Sequence, residues 1–318
     1  MTDHSELVST ARTVLTDNLG VETGESFLVV TDTERSAIGR AFFEAGVSLD
    51  LDAGVIETEP LERSGMEPPD YVAAAMERAD VVVCPTTASL THTRAREQAC
   101  ERGARVATMP GITAAMFSEG AMTADYTAVE SLTADVAERL TNAETARIEN
   151  GGETLTIPLG DRAGIASDGI IRNSGESGNL PSGEGYIAPQ EDAAYGTLVV
   201  DGGIAGVGRT EDSLVLEIED GTITDMEGEP TSSFVDTIGE EPCARRVAEL
   251  GIGTNPAARI IGNVLEDEKV YGTCHVAFGD NRGFGGTIDC PSHVDVILDE
   301  PDLYLDDELL VSGGDVHV

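Results

Sequence analysis

Short apolar runs alternate with amphipathic stretches through the first 110 residues. Residues 5–19 space their apolar positions along one helical face, and Ser26-Phe27-Leu28-Val29-Val30-Thr31 has the character of a buried strand. A helix is predicted over 35–45, an extended segment near 51–56 and a helix near 70–78. Val81-Val82-Val83-Cys84-Pro85 reads as a strand and 92–102 as a helix. Arg105-Val106-Ala107-Thr108-Met109 reads as a strand closed by Pro110-Gly111. Strands alternating with helices imply a parallel sheet covered by helices. One longer helix is predicted over 126–148.

Beyond residue 150 the pattern changes to period two. Glu153-Thr154-Leu155-Thr156-Ile157, Gly196–Asp201 and Ser213–Ile218 alternate as strands, and Asp220-Gly221 is a hairpin signal ahead of Thr222-Ile223-Thr224. A helix is predicted near 241–250, with Gly251 as its C-cap and Glu249 at its last turn. There the helix dipole would disfavour the carboxylate unless a cation sits beside it. Thr273–Phe278 and His293–Leu298 alternate as strands. The expected organisation is an α/β N-terminal domain with a mostly parallel sheet over 1–148, then an α+β, mostly antiparallel metal-binding domain over 149–318.

Charge narrows the function classes. The formal net charge is −40, from 59 acidic and 19 basic residues, and Lys269 is the only lysine. Carboxylates spread along the whole chain suit concentrated salt, where the Debye length shrinks to about 3 Å at 1 M. No basic stripe exists to neutralise phosphates, so nucleic acid is not an expected partner. No run of 18 apolar residues and no basic-then-apolar leader is present, so the expectation is a cytoplasmic chain without membrane contact. The five cysteines are scattered and contain no C-x-x-C, and are expected to be buried thiols. The first strand is followed by Asp32-Thr33-Glu34-Arg35-Ser36, which lacks the glycines of a dinucleotide loop and the lysine of a phosphate loop. His92, just beyond the carboxyl end of a strand, is a candidate pocket residue of such a sheet.

The candidate chemistry gathers between Leu265 and Leu298. On a strand, His293 and Asp295 point to one face, and His275 can join them from a neighbouring strand. Two imidazoles and a carboxylate suit zinc or iron. Cys274, adjacent to His275, faces the other way. Glu184, set between Gly183 and Gly185, and Glu249 are further carboxylates in distinctive surroundings. His317 lies in the terminal Ser312–Val318 segment.

The motifs LPSGEGYIAP, GTLVVDG, ELGIGTNP, LEDEKVYGTCHVAFGD and HVD resemble the aminopeptidase T (AmpS-like) metallopeptidases over most of residues 150–298. The resemblance implies a dimeric hydrolase removing N-terminal residues from peptides. It implies two zinc- or cobalt-type ions on Glu184, Glu249, His275, His293 and Asp295 around a metal-activated water, with Glu184 or Glu249 available as proton shuttle. The sequence departs from that pattern seven residues after His275, where the peptidases carry a tyrosine and this chain has Arg282. The 2,5-dihydroxypyridine dioxygenases resemble the same family and imply one Fe(II) on His275, His293 and Asp295. Lys269, Arg282 and His92 would then be available to bind an anionic ring. A metal-stabilised binding protein without turnover is the third reading.

Overall fold

The computed structural model describes residues 3–209 and 211–318. Two compact units emerge: residues 1–126 with 169–182, and 127–168 with 183–318. The first unit is therefore discontinuous, and a single cut at 148 falls inside the strand Thr145–Asn150.

In the first unit the predicted alternation is realised element by element. The parallel strands Ser26–Asp32, Asp52–Thr58, Val81–Thr86 and Arg105–Pro110 are separated by the helices Ser36–Ser48, Asp70–Met76 and Arg94–Glu101. Leu28, Val30, Val82 and Val106 project from the strands onto Val72, Met76, Ala95 and Ala99 of two of these helices. The helix Ser36–Ser48 buries Phe42, which meets Phe117 edge-on with ring centroids 5.3 Å apart. A fifth strand, Ser177–Asn179, pairs in parallel with Arg105–Pro110 after the chain has returned from the second unit. A small cavity opens at the carboxyl ends of the parallel strands, lined by Val30, Asp32, Thr58, Leu61, Val72 and Leu90 among others. His92 is not part of that lining and lies exposed in a turn. The Asp32 carboxylate in the cavity wall is engaged by the backbone amides of Glu34, Arg35 and Thr87.

The predicted helix over 126–148 ends at Asn142, because Ala146 and Ile148 alternate into the core as part of the strand Thr145–Asn150. The second unit holds an eight-stranded and a six-stranded antiparallel sheet. The Asp220-Gly221 hairpin joins Leu214–Glu219 to Thr222–Glu227 as expected, with both turn residues at positive φ. The six-stranded sheet carries the site. Its order is Gly203–Ile204, His293–Leu298, Cys274–Gly279, Val247–Gly253, Glu184–Ile187, Ile165–Ser167.

Two expectations are corrected here. Residues 241–250 are not one helix: a short turn, Pro242–Arg245, leads straight into the strand Val247–Gly253. That strand pairs on both sides, with Cys274–Gly279 and Glu184–Ile187, and this non-local pairing overrides the helical look of the segment. Glu249 is consequently mid-strand, and the helix-dipole argument for it falls. The cysteines are not all thiols either. Cys243 and Cys290 form a disulfide, tying the turn before one site strand to the segment before another, while Cys84, Cys100 and Cys274 are free. Among the described residues no helix is long and apolar enough to cross a membrane.

Candidate metal centre

The two faces of the six-stranded sheet divide by residue type. Ile187, Leu250, Ile252, Cys274, Val276, Phe278, Val294, Val296 and Leu298 point into the main hydrophobic core. Cys274 is thus on the face away from His275, and burial in that core pushes its thiol pKa up. The alternate positions form the other face, and register places them in rows. Glu249, Ala277 and Asp295 stand side by side; Tyr186, Gly251 and His275 form the next row; Glu184 pairs with Gly253, and His293 with Gly279. Small residues thus alternate with the polar ones, leaving room above the sheet for long side chains to converge.

Gly251 shows why that spacing matters. A Cβ built there would lie 2.1 Å from His275 Nε2, so the imidazole occupies the space a side chain would need.

The polar groups of this face meet in one cluster. His275 Nε2 lies 3.5 Å from Glu184 Oε2 and 3.4 Å from Glu249 Oε1, and His293 Nε2 lies 3.4 Å from Glu249 Oε2 and 3.5 Å from Asp295 Oδ1. Direct charge-assisted hydrogen bonds are shorter, about 2.7–2.9 Å. Nitrogen and oxygen ligands about 2.0–2.2 Å from a shared ion stand roughly 3.0–3.5 Å apart, so these separations fit donors arranged around a cation. Glu184, Glu249 and His275 all present ligand atoms within 4.8 Å of one another. His293 Nδ1 lies 2.7 Å from the Asp280 carbonyl; donating there leaves Nε2 as the free lone pair. The buried Nδ1 of His275 has no hydrogen-bond partner among the described residues. His275 is fully enclosed, whereas the His293 side chain is 31% exposed, so the cluster opens on the His293 side.

Without a metal, the electrostatics are those of a crowded acid–base cluster. Burial opposes the charged form of His293, but Asp295 and Glu249 outweigh it and hold its pKa up to about 10. For His275, burial is outweighed by Glu249 and Glu184, giving about 9. Burial pushes Glu249 up, while His293 holds Asp295 down to about 2 against its own burial. Lys269 is buried beside them, its Nζ 2.8 Å from Glu184 Oε1 and paired also with Glu268. That ammonium is committed to two carboxylates, not turned outward toward an anionic ligand. Burial raises Glu268 to about 8.

Glu184, Glu249, His275, His293 and Asp295, singled out in the sequence, lie in this cluster, with Lys269 and Glu268 beside them. Arg282 is not among them: its half-exposed guanidinium bridges Asp280 and Asp289, bracing the loop whose Asp280 carbonyl faces His293. His317 is exposed at the end of the other sheet, where its backbone N–H donates to the Leu310 carbonyl. Three residues escape the sequence reading. Tyr186 and Phe284 form an aromatic wall beside the cluster, with centroids 5.5 Å apart and Phe284 5.8 Å from the His293 ring. Tyr186 is foreshadowed by its i+2 spacing from Glu184 on a strand. Asn281, fully buried, holds the loop by accepting from Ile288 N–H and donating to the Ala248 carbonyl.

Comparisons with known proteins separate the candidate chemistries. The profile of the family described as NicX, 2,5-dihydroxypyridine 5,6-dioxygenase, matches residues 7–318. The curated 2,5-dihydroxypyridine 5,6-dioxygenase of Pseudomonas putida KT2440 is 31% identical over 143 residues, 40% of this chain and 41% of that protein's length. The match therefore spans less than half of that relative. A solved structure of the 2,5-dihydroxypyridine dioxygenase from P. putida KT2440 superposes with a TM-score of 0.82 at 24% identity, over 100% of this chain and 99% of that one. Wild-type AmpT from Thermus thermophilus superposes with a TM-score of 0.68 at 17% identity, over 99% of both chains. At such identities both likenesses are of fold alone. The expectation of a peptide-cleaving aminopeptidase is overturned, because the profile running through nearly the whole sequence is that of an oxidative family. A pair of zinc- or cobalt-type ions loses its support with it, while a metal centre keeps its donors. From residue 7 to its last residue, this chain belongs to the 2,5-dihydroxypyridine 5,6-dioxygenase family.

Proposed function

We propose that the chain is a mononuclear, metal-dependent ring-cleaving dioxygenase acting on a dihydroxylated pyridine, with iron(II) held by His275 Nε2, His293 Nε2 and Asp295. The observation that carries this reading is one sheet face on which both imidazoles lie 3.4 Å from Glu249 and Asp295 lies 3.5 Å from His293, open on the His293 side. A facial set of two histidines and one carboxylate leaves positions for oxygen and substrate. The bound iron supplies the redox chemistry that lets dioxygen react with the ring.

The chain's own groups do the rest. Phe284 and Tyr186 offer a flat apolar wall against which an aromatic ring lies, at the offset and edge distances that such pairs favour. Glu249, one oxygen toward each imidazole and its pKa raised by burial, takes the proton from the ring hydroxyl at an Oε atom. The Tyr186 phenol, held neutral by burial and by Glu184, serves as a hydrogen-bond donor to the bound ring. The bond between ring carbons 5 and 6 breaks and each carbon gains one oxygen atom of O2, so no outside reductant is required. Arg282 acts through Asp280 by bracing the His293 loop.

The test is oxygen uptake by anaerobically iron-loaded protein on adding 2,5-dihydroxypyridine. Uptake matched to loss of the ring chromophore, and reduced by at least about a thousandfold in His293→Ala, is expected. Equal uptake by the His293→Ala variant, or none by either protein, would overturn the reading.

A further inference from the structure

We propose that the Lys269 ammonium fills the place of a second cation in this centre, so that the site takes one divalent ion instead of two. The inference rests on the metal-centre reading above and deepens it.

The cluster holds more carboxylates than the assigned ligand set uses. His275, His293 and Asp295 are the set assigned above to the single ion; Glu184 and Glu249 remain, Glu184 Oε2 lying 3.5 Å from His275 Nε2 and Glu249 presenting one oxygen to each imidazole. That is more coordinating capacity than a single ion with open positions uses. The surplus includes Glu184, and there Lys269 Nζ lies, 2.8 Å from Glu184 Oε1. Glu184 is thereby shared between an ammonium on one oxygen and His275 on the other.

Charge points the same way. Glu184, Glu249, Glu268 and Asp295 crowd a largely buried site, and buried carboxylates require compensation. One divalent ion and one ammonium supply three positive charges; without the ammonium, a second divalent ion is the compact replacement.

Composition is the independent observation. Lys269 is the only lysine among 19 basic residues, and it is 1% exposed at this centre. A chain that otherwise uses arginine departs from it where one buried cation is held between two carboxylates, a place suited to a compact point charge.

The experiment counts metal. Wild type, Lys269→Met and the double variant Lys269→Met/Glu184→Gln are dialysed to equilibrium against excess Zn2+ in concentrated KCl, and zinc per chain is measured. Zinc is redox-inert, so the count is independent of oxygen chemistry. One ion is expected in wild type, two in Lys269→Met with a raised Tm on binding the second, and one in the double variant, where cation and anion are removed together. Loaded with Mn2+ instead, Lys269→Met is expected to show the magnetic coupling of a paired centre and wild type an isolated ion. Two ions in wild type, or one in a folded Lys269→Met, would overturn the role of Lys269 while leaving a metal centre standing. If Lys269→Met does not fold, the wild-type and double-variant counts still decide, since two ions in either refute the proposal. No ion bound by wild type would overturn this inference together with the functional reading.

Discussion

At Gly251 the whole site depends on a missing methyl group. The residue is extended and paired on both sides, so alanine is compatible with its backbone, but a Cβ would collide with the His275 imidazole at 2.1 Å. Gly251→Ala is expected to leave the fold in place, by circular dichroism, and to lower metal affinity by on the order of 10–100-fold, the usual cost of misorienting a ligand. Unchanged affinity by calorimetric titration would mean that His275 is not a ligand. Gly251 itself was legible only as punctuation, because a glycine after a helical-looking run reads as a cap. His293 and Asp295, by contrast, were legible from their i, i+2 spacing, and Lys269 from its solitude in an arginine-using chain. Asn281 gave no such signal, since its amide acts only through contacts made by a closed loop.

The strand Val247–Gly253 is the element that brings Glu249 into line with Asp295, through Ala277 of the strand between them. Local sequence could not reveal it, because EPCARRVAEL spaces its apolar residues helically and only pairing with distant strands settles the matter. The disulfide between Cys243 and Cys290 was equally invisible, lying across 47 residues of chain. Such a sheet face has a definite pH signature when metal-free. His275 and His293 have folded pKa values raised from 6.5 to about 9 and about 10. Their contribution to stability is therefore complete below about 6.5 and lost as pH rises through 9 and 10. Thermal unfolding in chelator should show Tm falling across that window. A divalent ion needs neutral imidazoles, so metal affinity should rise over the same range with release of protons on binding. A metal-free Tm flat from 6.5 to 10, with no proton release, would contradict the cluster described here.

Across the whole molecule, the net charge of −40 is borne by carboxylates distributed over both units. Self-repulsion at that density destabilises the compact state unless salt screens it. Tm is expected to rise steadily as KCl increases from about 0.1 M to above 1 M, where the Debye length falls from about 10 Å to about 3 Å. Insensitivity to salt would mean that ion pairs such as Arg102–Glu77 already balance the surface. At this scale the parallel half was read strand by strand, since each βα repeat is local. The return of Ser177–Asn179 to that sheet was not, because nothing in so short a segment records a parallel partner far earlier in the chain. The chemistry was legible as far as a candidate metal site; substrate class lay in relationships spanning residues 7–318 that no single motif contains.

The central claim is that this cluster directs both atoms of dioxygen into a hydroxylated ring. It is tested most directly by supplying iron-loaded protein with 2,5-dihydroxypyridine under 18O2 and weighing the product. The account predicts an opened ring carrying two labelled oxygen atoms per molecule. A product carrying one label or none, or an intact ring alongside release of amino acids from a peptide, would contradict it.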